Sequence, residues 1–326
     1  MRAVVLTGAG GPDVLRIQEV PTPEPGWGQV RVRVRSAGLN RADLLQRQGH
    51  YPAPPDAQAD IPGLEFAGEV EKLGPGATDF KLGEYVFGIV GGGGQAEFVV
   101  VPERTLVRVP ASLDPLAAGG VPEAFITAHD ALFTQGQLRL GERLLIHAVG
   151  SGLGTAMVQL ARAASCTVLG TARSENKLER AEALGMDIGI HAPEGRFAAK
   201  VREATNGAGV NMVADVLGGG ALHENLASLS YQGRMVVIGL MSGSREEVDL
   251  SQLLTRRLKL WGTVLRSRPL EEKIAATRAF SEQVVPLLAR GVVKPVIDRV
   301  YPAQAVQAAH QQMARNENFG KIVLTF

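Results

Sequence analysis

The stretch best equipped for chemistry is LLIHAVGSGLGTAMVQLARAA, Leu144 to Ala164, where an apolar run meets a glycine-rich turn and a helical pattern follows. Such a turn presents backbone N–H groups at a helix N-terminus, where the helix dipole favours an anion such as a nucleotide pyrophosphate. In the fingerprint G-x-G-x-x-G the first glycine makes the tight turn. The second lets the backbone approach the pyrophosphate, and the third lets helix and strand pack closely. Gly150, Ser151, Gly152, Leu153 and Gly154 form the candidate turn here, but with Gly154 in the third place the first two fall on Val149 and Ser151. A generic strand-to-helix turn is the alternative reading. Ser151 offers a hydroxyl to a phosphate or to a ligand carbonyl.

A second constellation lies on the next strand end, LGTARSENKLERA. Enzymes selective for NAD place an acidic residue about twenty residues after the turn to grip the ribose 2′-hydroxyl. Residues 171–174 hold no carboxylate. Arg173, Ser174 and Lys177 can instead bind a 2′-phosphate, which points to NADPH. A solvated helix start is the competing account of these cations. Placing them at a helix N-terminus runs against the dipole, a mild penalty that suggests a use.

The elements that must position these groups follow from periodicity. QVRVRVRSAG alternates strictly, with Val30, Val32 and Val34 on one face and arginines on the other, the pattern of a half-buried strand. GLEFAGEVEKLG and GEYVFGIV continue in short strands, while the proline-rich EVPTPEPGWGQ and YPAPPDAQADIPG read as loops. The run Gly91 to Gly94 reads as a hairpin turn rather than a ligand contact. From about Val121 the texture changes: LLIHAVG, CTVLGTA, VNMVADVLG and GRMVVIGL are strand-length apolar runs, the first three separated by helical stretches such as 155–164 and 176–184. That alternation predicts a parallel sheet covered on both faces. A helix is expected over 270–288 and a closing strand at KIVLTF, with the last sixty or so residues returning to the first domain.

Composition bounds the function. A chain of 326 residues, 45% of them apolar, reads as about two domains. A net charge of +1 argues against nucleic acid or a membrane surface as partner. One cysteine, Cys166, excludes an internal disulfide or a multi-cysteine metal site, and the six histidines are dispersed. The N-terminal MRAVVLTGAGG is too short in apolar residues for a signal peptide, and no window reaches membrane-span length, so a cytoplasmic location is expected.

The order of SAGLNRADLLQRQGHYP, GLEFAGEVEKLG, GGGGQAEFVVVP, AFITAHDAL, HAVGSGLGTAMVQLA, DVLGGG and NFGKIVL resembles the medium-chain dehydrogenase/reductase superfamily, in its zeta-crystallin-like quinone oxidoreductase branch. VLRSR and the serine of the turn are most similar to the stress-inducible NADPH quinone oxidoreductase subfamily. The resemblance implies an α/β chain with a Rossmann doubly wound parallel sheet and a GroES-like, mainly antiparallel β-barrel domain. The substrate domain would take residues 1–121 and 266–326, and the NADPH domain 122–265.

Zinc-dependent members hold their metal at places that here carry Asn40, Leu64 and Glu123. Asn40 and Leu64 are not zinc ligands, so no metal is expected. Without a Lewis acid the acceptor should spread its own charge, as a quinone or an enone does. By resemblance, Asn40, Asp43 and Tyr51 would line a substrate cleft, with Asn40 orienting the acceptor and Tyr51 stacking or donating its hydroxyl. Asp43 reads more as a helix-start group than as a catalyst. Thr127 would lie beside the nicotinamide ribose. Ile238, Gly239, Leu240 and Met241 would line the nicotinamide end with Leu265, Arg266 and Ser267, and Asn318 would close over the cofactor. His191 stands where relatives carry a tyrosine, and reads as a surface histidine. RRLKLWGTVLR reads as an edge strand through which two subunits would form a homodimer. The function implied is NADPH:quinone oxidoreduction. An enone reductase and a non-catalytic, crystallin-like NADPH binder are the alternatives.

Overall fold

The computed structural model describes residues 1–55 and 57–326. It divides into two compact units, Met1–Ile126 with Leu265–Phe326, and Thr127–Val264.

The first unit is built on a seven-stranded sheet centred on Gln29–Leu39. This long strand pairs antiparallel with Glu65–Leu73, Phe98–Pro102 and Lys321–Thr325, and only Ile297–Pro302 joins in parallel, beside Lys321–Thr325. Val30, Val32 and Val34 are buried and pack with Phe66, Val70, Val86 and Val99. Each valine so buried contributes on the order of 1.5–3 kcal/mol. On the opposite face Arg33 and Arg35 are exposed, whereas Arg31 lies flat under an ion-pair cover from Glu71 at 2.6 Å and Glu24 at 2.8 Å. Residues 20–28 and the described part of 51–64 carry no strand, as their prolines require. Residue 56 of the second loop lies outside the described residues.

Two expectations are corrected here. Gly91 to Gly94 is not a hairpin turn, because the strand before it, Tyr85–Ile89, pairs with Glu65–Leu73 and Leu106–Arg108, while the strand after it, Phe98–Pro102, pairs with Gln29–Leu39. The glycines cross between strands and lie against residues 58–63. Gly93, at φ +90°, donates its N–H to Ile61 O at 2.7 Å. The helix expected over 270–288 is two helices, Leu270–Gln283 and Val285–Ala289. Pro286 has no N–H to donate and its ring excludes the carbonyl four residues earlier.

The second unit holds six parallel strands in the spatial order Ile188–His191, Thr167–Ala172, Arg143–His147, Val210–Asp215, Leu229–Val237, Lys259–Gly262. Numbered by chain position this is 3-2-1-4-5-6, the doubly wound order, in which ligands bind outside the carboxyl ends of the strands. Helix Gly152–Ala163 packs on the first two strands of the chain order, burying Ala156, Met157, Val158, Leu160 and Ala161. No helix among the described residues is long and apolar enough to cross a membrane.

Candidate active site

In the parallel-sheet unit the predicted cofactor residues gather at one edge. Arg143–His147 runs into the turn 148–151, and His147 pairs in register with Thr171, so the glycine turn and Arg173 leave neighbouring strands at the same end. Ile238 and Gly239 leave the strand Leu229–Val237 at that end too, tied by their N–H groups to Asp215 O at 2.7 and 3.3 Å. Ala148 takes the left-handed φ of +52° that opens the turn, a conformation unusual for a residue with a Cβ. A Cβ on Gly154 would lie 2.4 Å from Ala148 O and 2.7 Å from Val149 Cα, so only a glycine allows helix and strand to approach this closely here. Ser151 is the N-cap of the helix and its Oγ accepts the Gly154 N–H at 2.9 Å. Its hydroxyl proton is not used in that bond. Arg173 and Ser174 are exposed and Lys177 half-buried around the start of the helix Glu175–Glu182. His191 holds the strand end, with Nε2 3.1 Å from Arg173 O and Nδ1 3.3 Å from the Glu175 carboxylate. Thr127 keeps a buried hydroxyl without a hydrogen-bond partner, and Leu240 and Met241 are exposed.

In the β unit a buried ionic network surrounds Asn40. Glu65 is fully buried, and its carboxylate accepts from Lys321 Nζ, from Asn40 Nδ2 at 2.9 Å and from the Glu123 backbone N–H at 2.9 Å. Lys321 Nζ also donates to Asn40 Oδ1 at 2.7 Å and Leu39 O at 3.0 Å, so its three N–H groups are used. Asp43 lies in the first turn of the helix Arg41–Arg47. Its carboxylate takes the Asn40 N–H at 2.7 Å and the Gly63 N–H at 3.1 Å. Burial pushes the Asp43 carboxyl up to about 6 against the pull of those two hydrogen bonds. Arg266, also buried, donates to Gly91 O at 2.8 Å, Tyr51 O at 3.3 Å and Gln46 Oε1 at 2.6 Å. Its guanidinium sits 4.9 Å from the centre of the half-buried Tyr51 ring. Beside these groups stands Glu123, half-buried in the first turn of the helix Pro122–His129.

Two family models match the chain: an alcohol dehydrogenase GroES-like domain over residues 26–111 and a zinc-binding dehydrogenase domain over 152–283. A rat quinone oxidoreductase is 32% identical over 99% of this chain and 97% of its own length. A 2-haloacrylate reductase from a Burkholderia species is 32% identical over 99% and 98%. The chain belongs to the medium-chain dehydrogenase/reductase superfamily. As a member of that superfamily it is an oxidoreductase, and its relatives set it in the quinone oxidoreductase branch. Among solved structures, an Escherichia coli quinone oxidoreductase complexed with NADPH aligns over 100% of both chains at TM-score 0.90 and 25% identity.

The zinc in the name of one superfamily model does not fit this member. Asn40 spends its amide on Glu65 and Lys321, Leu64 is buried and apolar, and the Lys321 ammonium lies where a second cation would be repelled. Among the described residues no group of three or more His, Cys, Asp or Glu side chains is placed to hold a metal ion.

The structure brings Asn40, Asp43, Tyr51 and Arg266 together, but Asp43 and Arg266 are spent internally. Asp43 anchors a helix start to Gly63, and Arg266, expected at the nicotinamide end, donates to the Tyr51 carbonyl and to Gly91 and Gln46. Asn318 donates to Gly320 O at 2.7 Å and is buried. Leu265 is buried and Ser267 exposed. Glu65, Lys321 and Glu123 are the members of the cluster that the sequence reading did not single out as working groups. A lone charge inside an otherwise apolar strand, as in LEFAG and KIVLTF, was the available signal.

Proposed function

We propose that the chain is an NADPH-dependent quinone oxidoreductase that works without a metal. The observation that carries this reading is that Asn40, at one of the places where zinc-dependent relatives hold their metal, is tied to Glu65 and Lys321, while Leu64 at another is buried and apolar. An acceptor reduced here must delocalise its own negative charge, and a quinone does so best. The residues fit a dinucleotide. The turn 150–154 would take the pyrophosphate on its N–H groups, and the orphaned Thr127 hydroxyl would meet the ribose. Arg173, Ser174 and Lys177 would take the 2′-phosphate. A bound reduced nicotinamide would supply the hydride. Tyr51, held by the Arg266 guanidinium, offers a fixed aromatic face to a flat acceptor.

The test is NADPH oxidation with a panel of ortho-quinones and enones, using protein shown to be free of flavin and zinc. Turnover of quinones is expected, and none above background withdraws the reading. Faster turnover of enones would favour the second reading, an alkene reductase, which the similarity to a 2-haloacrylate reductase keeps open. Arg173→Ala should weaken NADPH by roughly 10-fold or more and leave NADH unchanged, since a hydrogen bond to a charged group contributes about 1.5–3 kcal/mol. Equal affinity of the wild type for both nucleotides would refute the coenzyme preference. Lys259–Gly262 is an edge strand of the parallel sheet and would carry a homodimer; light scattering of the purified chain decides that.

A further inference from the structure

We propose that Glu123 is the catalytic acid of this reductase, the group whose proton neutralises the oxyanion left on the reduced acceptor. The inference rests on the reductase reading above. Three acidic side chains meet in this part of the β unit, and two are already committed. Glu65 and Asp43 are fully buried with their oxygens on donors of the chain. The Glu123 main chain is fixed, its N–H on Glu65, yet its carboxyl makes no hydrogen bond among the described residues, and the residue is half-buried where Glu65 and Asp43 are fully buried.

Neither nearby cation forms an ion pair with the Glu123 carboxyl among the described residues, since both point their bonds elsewhere. Every N–H of Lys321 is on Glu65, Asn40 or Leu39, and Arg266 turns Nε, Nη1 and Nη2 to Gly91, Tyr51 and Gln46. The groups around Glu123 are therefore Glu65 on one strand, Lys321 on another, Asp43 on the helix Arg41–Arg47, and Arg266 and Tyr51 on loops. Burial first, then the Glu65 charge and more weakly Asp43, push its carboxyl up to about 8, against the opposing pull of Lys321 and Arg266. It is therefore protonated at neutral pH and close to the value at which a general acid transfers best.

The step balances simply. A hydride from a reduced nicotinamide dinucleotide carries two electrons to the acceptor, which becomes a quinolate or enolate. The O–H bond of Glu123 breaks as a new O–H bond forms on that oxygen, and the carboxylate left behind is reprotonated from water.

Glu123→Gln is the first test, with Glu123→Asp as the companion that keeps a carboxyl. With quinones, wild-type kcat should fall as pH rises through about 8. Glu123→Gln should lose roughly 100-fold in kcat and show no such limb, with NADPH affinity unchanged, and Glu123→Asp should restore part of the rate. A second readout needs no turnover: in the nucleotide-free full chain labelled with carboxyl-13C glutamate, one resonance should titrate near 8 and vanish in Glu123→Gln. Full activity with an unaltered pH limb in Glu123→Gln, or a Glu123 resonance titrating in the ordinary carboxylate range, overturns the proposal alone. A wild type that turns over no acceptor overturns the reductase reading and this role with it, whatever the carboxyl titration shows.

Discussion

Two buried polar networks, one from each unit, are built on different plans. In the parallel-sheet unit the imidazole of His147 is closed on both sides, Nε2–H donating to Asn225 Oδ1 at 2.6 Å and the Thr171 hydroxyl donating to Nδ1 at 2.8 Å. Its ring lies 4.8 Å from that of Phe197, and burial draws its pKa below the usual imidazole range against the opposing pull of Asp215 and Asn225. In the β unit the network is ionic, with Lys321 set against Glu65, and a third carboxyl, Glu123, is left over at its margin. Both imidazole nitrogens of His147 are occupied by groups of the sheet and its helices, which suits the network to holding strands in place. An ionic one that satisfies itself and leaves a neighbouring carboxyl pushed upward is what the proposed acid requires.

The comparison predicts unequal costs of damage, and the largest belongs to the ionic side. Lys321→Met leaves Glu65 fully buried and without its cation, and should destabilise the protein by about 3–5 kcal/mol in denaturant unfolding. Glu65→Gln combined with Lys321→Met should recover much of that, because no charge is then stranded. A single variant within about 1 kcal/mol of wild type would mean that the pair is not ionised as described. On the histidine side Asn225→Ala strands the His147 Nε2–H and should cost about 1–3 kcal/mol without any change in the pH profile of turnover. If that profile moved, the two networks would not differ in kind.

How far the sequence made this legible depended on distance along the chain. The alternation of Val30, Val32 and Val34, the strand–helix repeats and the turn at 150–154 were readable because periodicity and turn chemistry are local. Pro286 is an equally local signal, and it ends the single helix expected over 270–288. Gly91 to Gly94 was misread because what decides its shape is which strands pair, a non-local matter. The Lys321–Glu65 contact spans 256 positions, and nothing between them in the chain announces it. In the sequence Glu123 stands out only as the occupant of a lost ligand place. That its carboxyl is pushed upward follows from its burial beside Glu65, which only coordinates reveal.

The smallest predicted effect sharpens the boundary between holding a strand end and holding a ligand. Ser151 caps the helix Gly152–Ala163 through the Gly154 N–H, so Ser151→Ala should cost about 1 kcal/mol of stability, whereas Ser151→Gly should cost only a few tenths. Nucleotide affinity separates the roles. If the hydroxyl proton reaches a phosphate, both variants bind NADPH more weakly by a similar factor although their stabilities differ. If the residue is a cap and nothing more, Ser151→Gly binds as the wild type does, and the pyrophosphate rests on backbone N–H groups alone.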